Sequence, residues 1–308
     1  MKDEEKLKLF NEENKTNIKI EDKIIYIQNK KINESSLINL FSIKFSNLEE
    51  LSLNHLSLNN IKFLFNSDLT SLQKLSLDDN CLESLDGISN LKLKNLTELS
   101  VQRNKLESIN ELLKVDLPNL KKLDLTRNKI KAIDILPKVN FINLEYIYLD
   151  FNDISSIEGL CLAPFTKLKH FNLMGNHIKN IDDLDKAQFK DIEGIYLVEN
   201  EIENIEVFGK VEFKKLKYLS LNGNKISNID MFSNVKFLDL ERLDLEYNSI
   251  SNIDVLKNVP FKSLKHVGLR NNKFNPKDNI IKNIIEQLEQ KYEDIDAVIS
   301  QPERGPLA

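Results

Sequence analysis

The sequence predicts an α/β solenoid, in which a short strand and a helical turn repeat many times along the chain. Three observations lead to this fold class. Apolar residues recur at matched positions in successive 24-residue blocks, and hydrophobic residues make up 41% of the chain, enough for a continuous core. A fixed period of about 20–50 residues indicates stacked structural repeats. An asparagine recurs in every block without insertion, at Asn80, Asn104, Asn128, Asn152, Asn176, Asn200, Asn224, Asn248 and Asn272.

Each repeat begins with a short strand of the form Leu-x-Leu, such as Leu75–Leu77. Because side chains alternate along a strand, both leucines face inward and the residue between them faces outward. Strands one repeat apart pair in parallel, and the rest of each repeat supplies the crossover. The asparagine ends the strand, where its amide can bond to the backbone of the turn. We therefore interpret the asparagine column as structural.

Two further columns follow each asparagine. Six residues on stands a polar residue, usually acidic, such as Asp134, Asp182 or Asp230. We interpret this column as helix N-caps, which favour Asp and Asn, although a row of acids could alternatively bind a cation. The next column is aromatic and is expected to stack as core rather than to bind a cofactor; it comprises Phe141, Phe165, Phe189, Phe213, Phe237 and Phe261.

The period divides the chain into four segments. Residues 1–16 are rich in Lys, Glu and Asn and are predicted to be mobile. Residues 17–274 form the solenoid, which begins with a hairpin over residues 18–27 that caps its first repeat. Residues 275–300 hold a C-terminal capping helix and an extension; Asn275 and Pro276 are expected to start the helix, and its apolar face could instead bind a partner. Residues 301–308 are expected to be a disordered tail.

Composition excludes several classes of protein. A net charge of −5 gives no electrostatic case for binding nucleic acid, which would need a basic face. No apolar run approaches the ~18 residues of a membrane span, and the charged start gives no sign of a signal peptide. Cys81 and Cys161 lie in different repeats, so a disulfide framework is not expected. We therefore expect a cytoplasmic location.

The repeated pattern resembles the leucine-rich repeat, from about Ile24 to Phe274. The resemblance implies a horseshoe with a parallel sheet on its concave side, short helical turns on its convex side, an N-terminal hairpin cap and a C-terminal helix cap. The chain has no cysteine-rich caps. In this it is similar to the cytosolic class of leucine-rich repeat proteins, which includes regulators of a protein phosphatase. The 24-residue period departs from the shorter period of that group, so its partner is not carried over.

The outward strand positions are free to vary, and repeat proteins commonly bind partners on the surface that they form. Early repeats place small or charged residues there, whereas five of the seven tyrosines lie in later repeats. Aromatic residues and methionine beside charged residues are typical of protein-binding hot spots. The alternative is that tyrosine is simply a good strand former. We predict partner contacts at Tyr146, Tyr148, Phe151, His170, Met174, Tyr196, Val198, Tyr218, Arg242 and Tyr247.

These features predict a non-enzymatic scaffold, expected to be monomeric, that binds a folded domain or peptide on the concave face. His170 and His177 should face different ways, and no Cys, His and Asp residues have metal-ligand spacing. No phosphate loop or nucleophile elbow is present, so we expect neither a cofactor nor a metal. One alternative is a structural or cytoskeletal spacer. Another is a secreted effector or adhesin of a protist or intracellular bacterium, suggested by the Asn/Lys/Ile-rich usage.

Overall fold

The computed structural model describes residues 2–28, 32–45, 47–275, 278–292 and 294–296. The repeats fall into two units. Unit 1 comprises Met1–Asp153 with Ala163–Phe165, and unit 2 comprises Ile154–Leu162 with Thr166–Ala308. Each unit is a stack of coils in which one strand per coil joins a parallel sheet. The predicted α/β solenoid is therefore confirmed.

The sheet of unit 1 is built from strands of three residues. From β2 onward, the paired residues are 24 apart, as in Leu75 with Leu99. Each central leucine or isoleucine of these strands is buried, because the repeat length equals the pairing register and returns the same column to the core. In order, the described strands are β1 (Ile24–Tyr26), β2 (Glu50–Ser52), β3 (Lys74–Ser76), β4 (Glu98–Ser100), β5 (Lys122–Asp124) and β6 (Tyr146–Tyr148).

Unit 2 has a parallel sheet of the same design. Its last strand was not expected from the sequence, which predicts only an extension of the capping helix in that region. It pairs in parallel with the strand before it, so that Asp294 lies opposite His266. The described strands are β7 (His170–Asn172), β8 (Gly194–Tyr196), β9 (Tyr218–Ser220), β10 (Arg242–Asp244), β11 (His266–Gly268) and β12 (Asp294–Asp296).

The phenylalanine column lies in the core of each unit, as predicted. Phe141 and Phe165 are fully buried in unit 1. In unit 2, the ring centroids of Phe237 and Phe261 are 5.8 Å apart, and those of Phe189 and Phe213 are 6.2 Å apart. These separations fall within the range of favourable aromatic pairs. The column therefore adds aromatic packing to the core of each unit.

The asparagine ladder is also confirmed. Asn152 Nδ2 donates to the carbonyls of Leu125 and Leu149, both at 3.0 Å. Its Oδ1 accepts a hydrogen bond from Ile130 N at 3.0 Å. The same set of bonds recurs at Asn104 in unit 1 and at Asn224 in unit 2. One side chain thus satisfies backbone groups of its own coil and of the coil before it.

Short helical turns complete most coils. One is an α-helix, α3 (Glu158–Cys161). The others are 3₁₀ helices, at Lys62–Leu64, Ile88–Asn90, Asn110–Lys114 and Leu136–Lys138 in unit 1 and at Asp182–Lys186, Glu206–Gly209, Asp230–Asn234 and Asp254–Asn258 in unit 2.

The predicted N-caps of these turns are wrong, because the N-cap positions are held by Ile181 and Ile229, which have no capping side chain. Asp182 and Asp230 begin their helices, and neither acts as the cap. The backbone N–H of Asp182 donates to Asn180 Oδ1, and that of Asp230 donates to Asn228 Oδ1 at 2.8 Å. Serine side chains take the same place in some other coils, as Ser156 does for Glu158. The acidic column instead lies in the first turn, where the helix dipole favours negative charge.

The N-terminal expectations also need correction. Residues 1–16 were predicted to be mobile, but α1 (Asp3–Asn14) is helical and buries Leu7 and Phe10. The predicted hairpin is absent from the described residues, and β1 joins the sheet as a single parallel strand. The reason is local: Asn11 Oδ1 accepts from Ile18 N at 2.9 Å and its Nδ2 donates to Ile18 O at 2.8 Å. A side chain of α1 thereby replaces the strand partner that Ile18 would otherwise need.

Two more helices flank the repeats. In unit 1, α2 (Glu34–Phe41) starts at Asn33, whose side chain accepts from Ser35 N. In unit 2, α4 (Asn279–Lys291) buries Ile284 and Leu288, which supports the predicted capping helix. Asp278 is its N-cap, three residues later than expected from Asn275. Pro276 and the predicted tail at 301–308 lie outside the described residues.

Candidate partner-binding surface

All ten residues predicted to contact a partner are at least partly exposed to solvent. In the strands, the inward positions hold apolar side chains such as Ile147 and Ile195, both fully buried. The predicted residues therefore lie on the outward face of each sheet or at the strand ends. Unit 1 carries Tyr146, Tyr148 and Phe151, and unit 2 carries His170, Met174, Tyr196, Val198, Tyr218, Arg242 and Tyr247.

In unit 1 the aromatic rings lie against cations of the preceding coil. Lys122 Nζ is 5.3 Å from the centre of the Tyr148 ring. The Arg127 guanidinium is 4.3 Å from the centre of the Phe151 ring. Cation–π contacts of this length are attractive and fix the position of each ring. Burial raises the pKa of Tyr148 above its usual value of 10.0, so its phenol is neutral.

In unit 2 two rings stack across a glycine. The centroids of His170 and Tyr196 are 6.1 Å apart with an interplanar angle of 20°. Gly194 lies opposite His170 in the sheet. A Cβ at position 194 would overlap His170 Nδ1 and would lie 2.8 Å from Tyr196 Cε2. The rings of His170 and Tyr196 fill the space that the missing side chain of Gly194 leaves on the sheet.

The stack favours an uncharged imidazole. Desolvation lowers the pKa of His170 below its usual value of 6.5, an effect partly opposed by Glu193. A neutral imidazole and a phenol form a flat, half-buried aromatic surface. Tyr218 lies opposite Gly194 on the next strand, and Met174 and Val198 follow the ends of β7 and β8. We call His170, Met174, Tyr196, Val198 and Tyr218 the aromatic surface.

A polar cluster lies beside the aromatic surface and was not predicted as a site. Asp244 is 6% exposed. Arg242 Nε donates to its Oδ2 at 2.8 Å, Ser220 Oγ donates to the same oxygen at 3.3 Å, and His266 Nε2 lies 3.1 Å from its Oδ1. Arg242, predicted to contact a partner, is therefore held by its own chain. The signal in the sequence is an acid in an outward column with basic residues in the column before it.

The described residues contain no group of three or more His, Cys, Asp or Glu side chains placed to hold a metal ion. Within the same part of the chain, no helix is long and apolar enough to cross a membrane.

Comparison with known families and structures identifies the repeats. Residues 118–178 match the family model described as leucine rich repeat, and residues 94–138 match a second model, of two leucine-rich repeat copies. The repeats within residues 94–178 are leucine-rich repeats. No curated protein sequence matches the chain significantly.

Solved structures with leucine-rich repeats share the fold. An internalin (InlF) from Listeria monocytogenes is 22% identical with a TM-score of 0.67, covering 95% of this chain and 87% of that one. A leucine-rich repeat protein of Leptospira interrogans is 23% identical with a TM-score of 0.51, covering 88% and 82%. TLR13, solved in complex with an RNA, is 21% identical with a TM-score of 0.61, covering 80% and 40%.

Proposed function

We propose that the chain is a non-enzymatic scaffold that binds a protein partner through the aromatic surface of unit 2. The observation that carries the proposal is the stack of His170 on Tyr196, which lies on the outward face of the sheet. The core is closed by leucine, isoleucine and phenylalanine on the inward face. The rings outside it therefore add nothing to core packing, and binding a partner is a use for them.

The geometry suits protein recognition for a second reason. Tyrosine provides a large contact area and has only two side-chain torsions to restrict. Gly194 lets His170 and Tyr196 pack against each other before any partner arrives. Ordering rotamer-rich side chains at an interface costs about 0.5–1.5 kcal/mol each. A surface that is already ordered avoids part of that cost.

The rest of the proposal follows the sequence. Tyr146, Tyr148 and Phe151 form a second contact group on unit 1, and Tyr247, 59% exposed, contributes on unit 2. Leucine-rich repeats commonly serve in protein interaction, which supports the general role. Cys81 and Cys161 are free thiols, as expected for the cytoplasmic location that belongs to the same proposal. We also propose a monomer.

The test is capture of binding partners with the Tyr196→Ala, Tyr218→Ala double variant beside the wild type. The partner enriched by the wild type is identified by mass spectrometry, purified and titrated by calorimetry. We expect the double variant to weaken binding by at least about 2 kcal/mol, the threshold for a hot spot. Its melting temperature should stay close to that of the wild type, because both side chains lie outside the core.

Tyr26→Ala is the matched control. Tyr26 is a 55% exposed tyrosine on the sheet of unit 1 and lies outside the predicted contacts. Its loss should leave the affinity unchanged. Equal binding by the wild type and the double variant would contradict the proposal. It would favour a structural spacer, in which contacts are spread over edges and loops.

A further inference from the structure

The residue before each ladder asparagine has a left-handed backbone. Its φ is 53° at Asp79, 52° at Arg103 and 55° at Arg127. This region is unfavourable for residues with a Cβ and open to glycine. Glycine takes the same place at Gly175 and Gly223. Glycine would remove the backbone strain at positions 103 and 127. The backbone conformation therefore does not explain why arginine occupies them.

A second pair of cations lies beside the arginines. Lys105 and Lys129 follow two residues later, and Lys131 extends the second row. Arg103 N donates to Thr126 O at 2.8 Å and Lys129 N donates to Leu106 O at 2.9 Å, so the two coils lie directly against each other. Neighbouring coils of such a sheet are about 4.8 Å apart. We call these five exposed residues the basic rim: Arg103, Lys105, Arg127, Lys129 and Lys131.

The signs of the charges are unlike those at other positions one coil apart. Several such positions hold opposite charges at close range: Lys74 with Glu98 at 3.0 Å, Lys217 with Glu193 at 3.1 Å, Lys225 with Glu201 at 2.9 Å and Lys236 with Glu212 at 2.9 Å. In the basic rim, arginine instead follows arginine and lysine follows lysine. Like charges at this spacing repel each other.

Compensation inside the basic rim is partial. Arg103 lies 3.5 Å from Asp79, and Lys131 lies 3.7 Å from Glu107. These ion pairs are long and exposed, and such pairs contribute little. Arg127 packs on the ring of Phe151, which fixes the side chain, and lies near the carboxylate of Asp150, which offsets part of its charge. Five cations thus face solvent on two adjacent coils. Two of them, Arg103 and Arg127, have a left-handed backbone that is unfavourable for residues with a Cβ.

We propose that the basic rim docks an acidic segment of a partner protein. Arginine guanidinium groups match carboxylates in a two-pronged geometry, and two rows of cations can hold carboxylates along a short extended segment. A nucleic acid would call for a longer basic stripe. Here the basic rim spans two coils, is bordered by Asp79 and Glu107, and belongs to a chain with a net charge of −5. The proposal does not depend on the aromatic surface, which lies on unit 2.

The test uses a fluorescein-labelled peptide of alternating glutamate and serine, with binding followed by fluorescence anisotropy. Wild-type protein should bind it at low ionic strength and more weakly at about 150 mM salt, since salt screens exposed charges. Arg103→Glu with Arg127→Glu should reduce the affinity by at least about tenfold. The matched control is Lys190→Glu with Lys214→Glu, two exposed lysines that are also one coil apart. It changes the net charge equally and should keep the affinity within about twofold of the wild type.

A second variant separates binding from folding. Arg103→Gly with Arg127→Gly removes both charges and places glycine at two left-handed positions. We expect it to melt at or above the wild-type temperature and still to lose the peptide. Equal loss in the lysine control would reduce the effect to net charge and overturn the proposal. Tighter binding of an oligouridylate RNA or of phosphatidylserine vesicles than of the peptide would also overturn it.

Discussion

The outward faces of the two sheets differ although their cores are alike. In unit 1, the outward position between the two inward leucines of each repeat is the last residue of β2 to β4, and it holds Ser52, Ser76 and Ser100. In unit 2, β7 to β9 place Asn172, Tyr196 and Ser220 there, with His170 and Tyr218 beside them. Both faces rest on the same buried leucine columns and the same asparagine ladder. The difference teaches that the repeat determines the scaffold, and that individual residues determine what each face can bind.

On the outward face of β1 to β4 in unit 1, polar side chains form hydrogen bonds with one another. Asp78 is buried and accepts hydrogen bonds from Ser76 Oγ at 2.8 Å, Ser100 Oγ at 2.6 Å and Gln102 Nε2 at 3.1 Å. Tyr26 Oη donates to Glu50 at 2.6 Å. Polar groups satisfied in this way gain little from a partner, because a new bond only replaces an existing one. The aromatic surface has apolar area that a partner can cover.

The largest effect on stability is expected from the asparagine ladder, which is the same in the two units. Asn104→Ala in unit 1 and Asn200→Ala in unit 2 each remove bonds to three carbonyls and one N–H. We expect each change to lower the free energy of unfolding by about 1–3 kcal/mol, the penalty for buried polar groups left unpaired. Urea denaturation measures both, with exposed Asn59→Ala as the control. Clearly unequal losses would show that the two ladders are not equivalent.

A smaller effect is expected at Gly194, a feature of unit 2 alone. Gly194→Ala would push its new methyl group into His170 and Tyr196. The rings can rotate away, so we expect a loss at the lower end of the ~1–3 kcal/mol typical of overpacking. Partner affinity should fall with it, because the stack opens. Gly209→Ala is the control, since the nearest atom to its Cβ would be 3.8 Å away. A wild-type affinity in Gly194→Ala would separate the stack from binding.

The smallest effects are expected from acid, and they should have opposite signs in the two units. Desolvation holds the pKa of His170 below 6.5 in the folded chain. Neutral His170 therefore contributes its full stability to the folded state above about pH 6.5, and this stability is lost as the pH falls below that value. Burial raises the pKa of Asp150 above 3.8, so its unfavourable charge disappears as the pH falls toward that raised value. Melting curves of His170→Phe, Asp150→Asn and wild type between neutral and acidic pH measure both. His170→Phe should lose less stability on acidification than the wild type, and Asp150→Asn should gain less. Parallel shifts in all three proteins would contradict both assignments.

The repeating part of the fold was predictable because its physics is local to one period. The leucine columns, the asparagine at Asn152 and the phenylalanines at Phe141 and Phe237 follow from spacing alone. The predicted caps were wrong because Asn180 and Asp182 are both residue types that cap helices, and spacing does not show which side chain accepts the backbone N–H. The N-terminal hairpin failed because Asn11, seven residues before Ile18, takes both backbone groups of that residue.

The candidate site was predictable in position and less so in conformation. Strand alternation places Tyr148 and Tyr196 outward, as the structure has them. The stack of His170 on Tyr196 depends on rotamers and on the missing side chain of Gly194, which no spacing reveals. The hydrogen bond from Arg242 to Asp244 depends on the rotamers of two side chains that lie two positions apart on one strand. Whether these residues bind a partner stays a prediction.

The asparagine ladder has a consequence for how the chain can change in length. Asn224 donates to the carbonyl of Leu197, 27 residues earlier, and its Oδ1 accepts from Ile202 N, 22 residues earlier. Each such bond reaches one neighbouring coil and goes no further. Excision of residues 201–224 would join two coils that have the same pattern of hydrogen bonds, whereas excision of part of a coil would leave a carbonyl without its asparagine donor. Gene duplication and deletion in whole coils can therefore lengthen or shorten this protein without redesigning its interior.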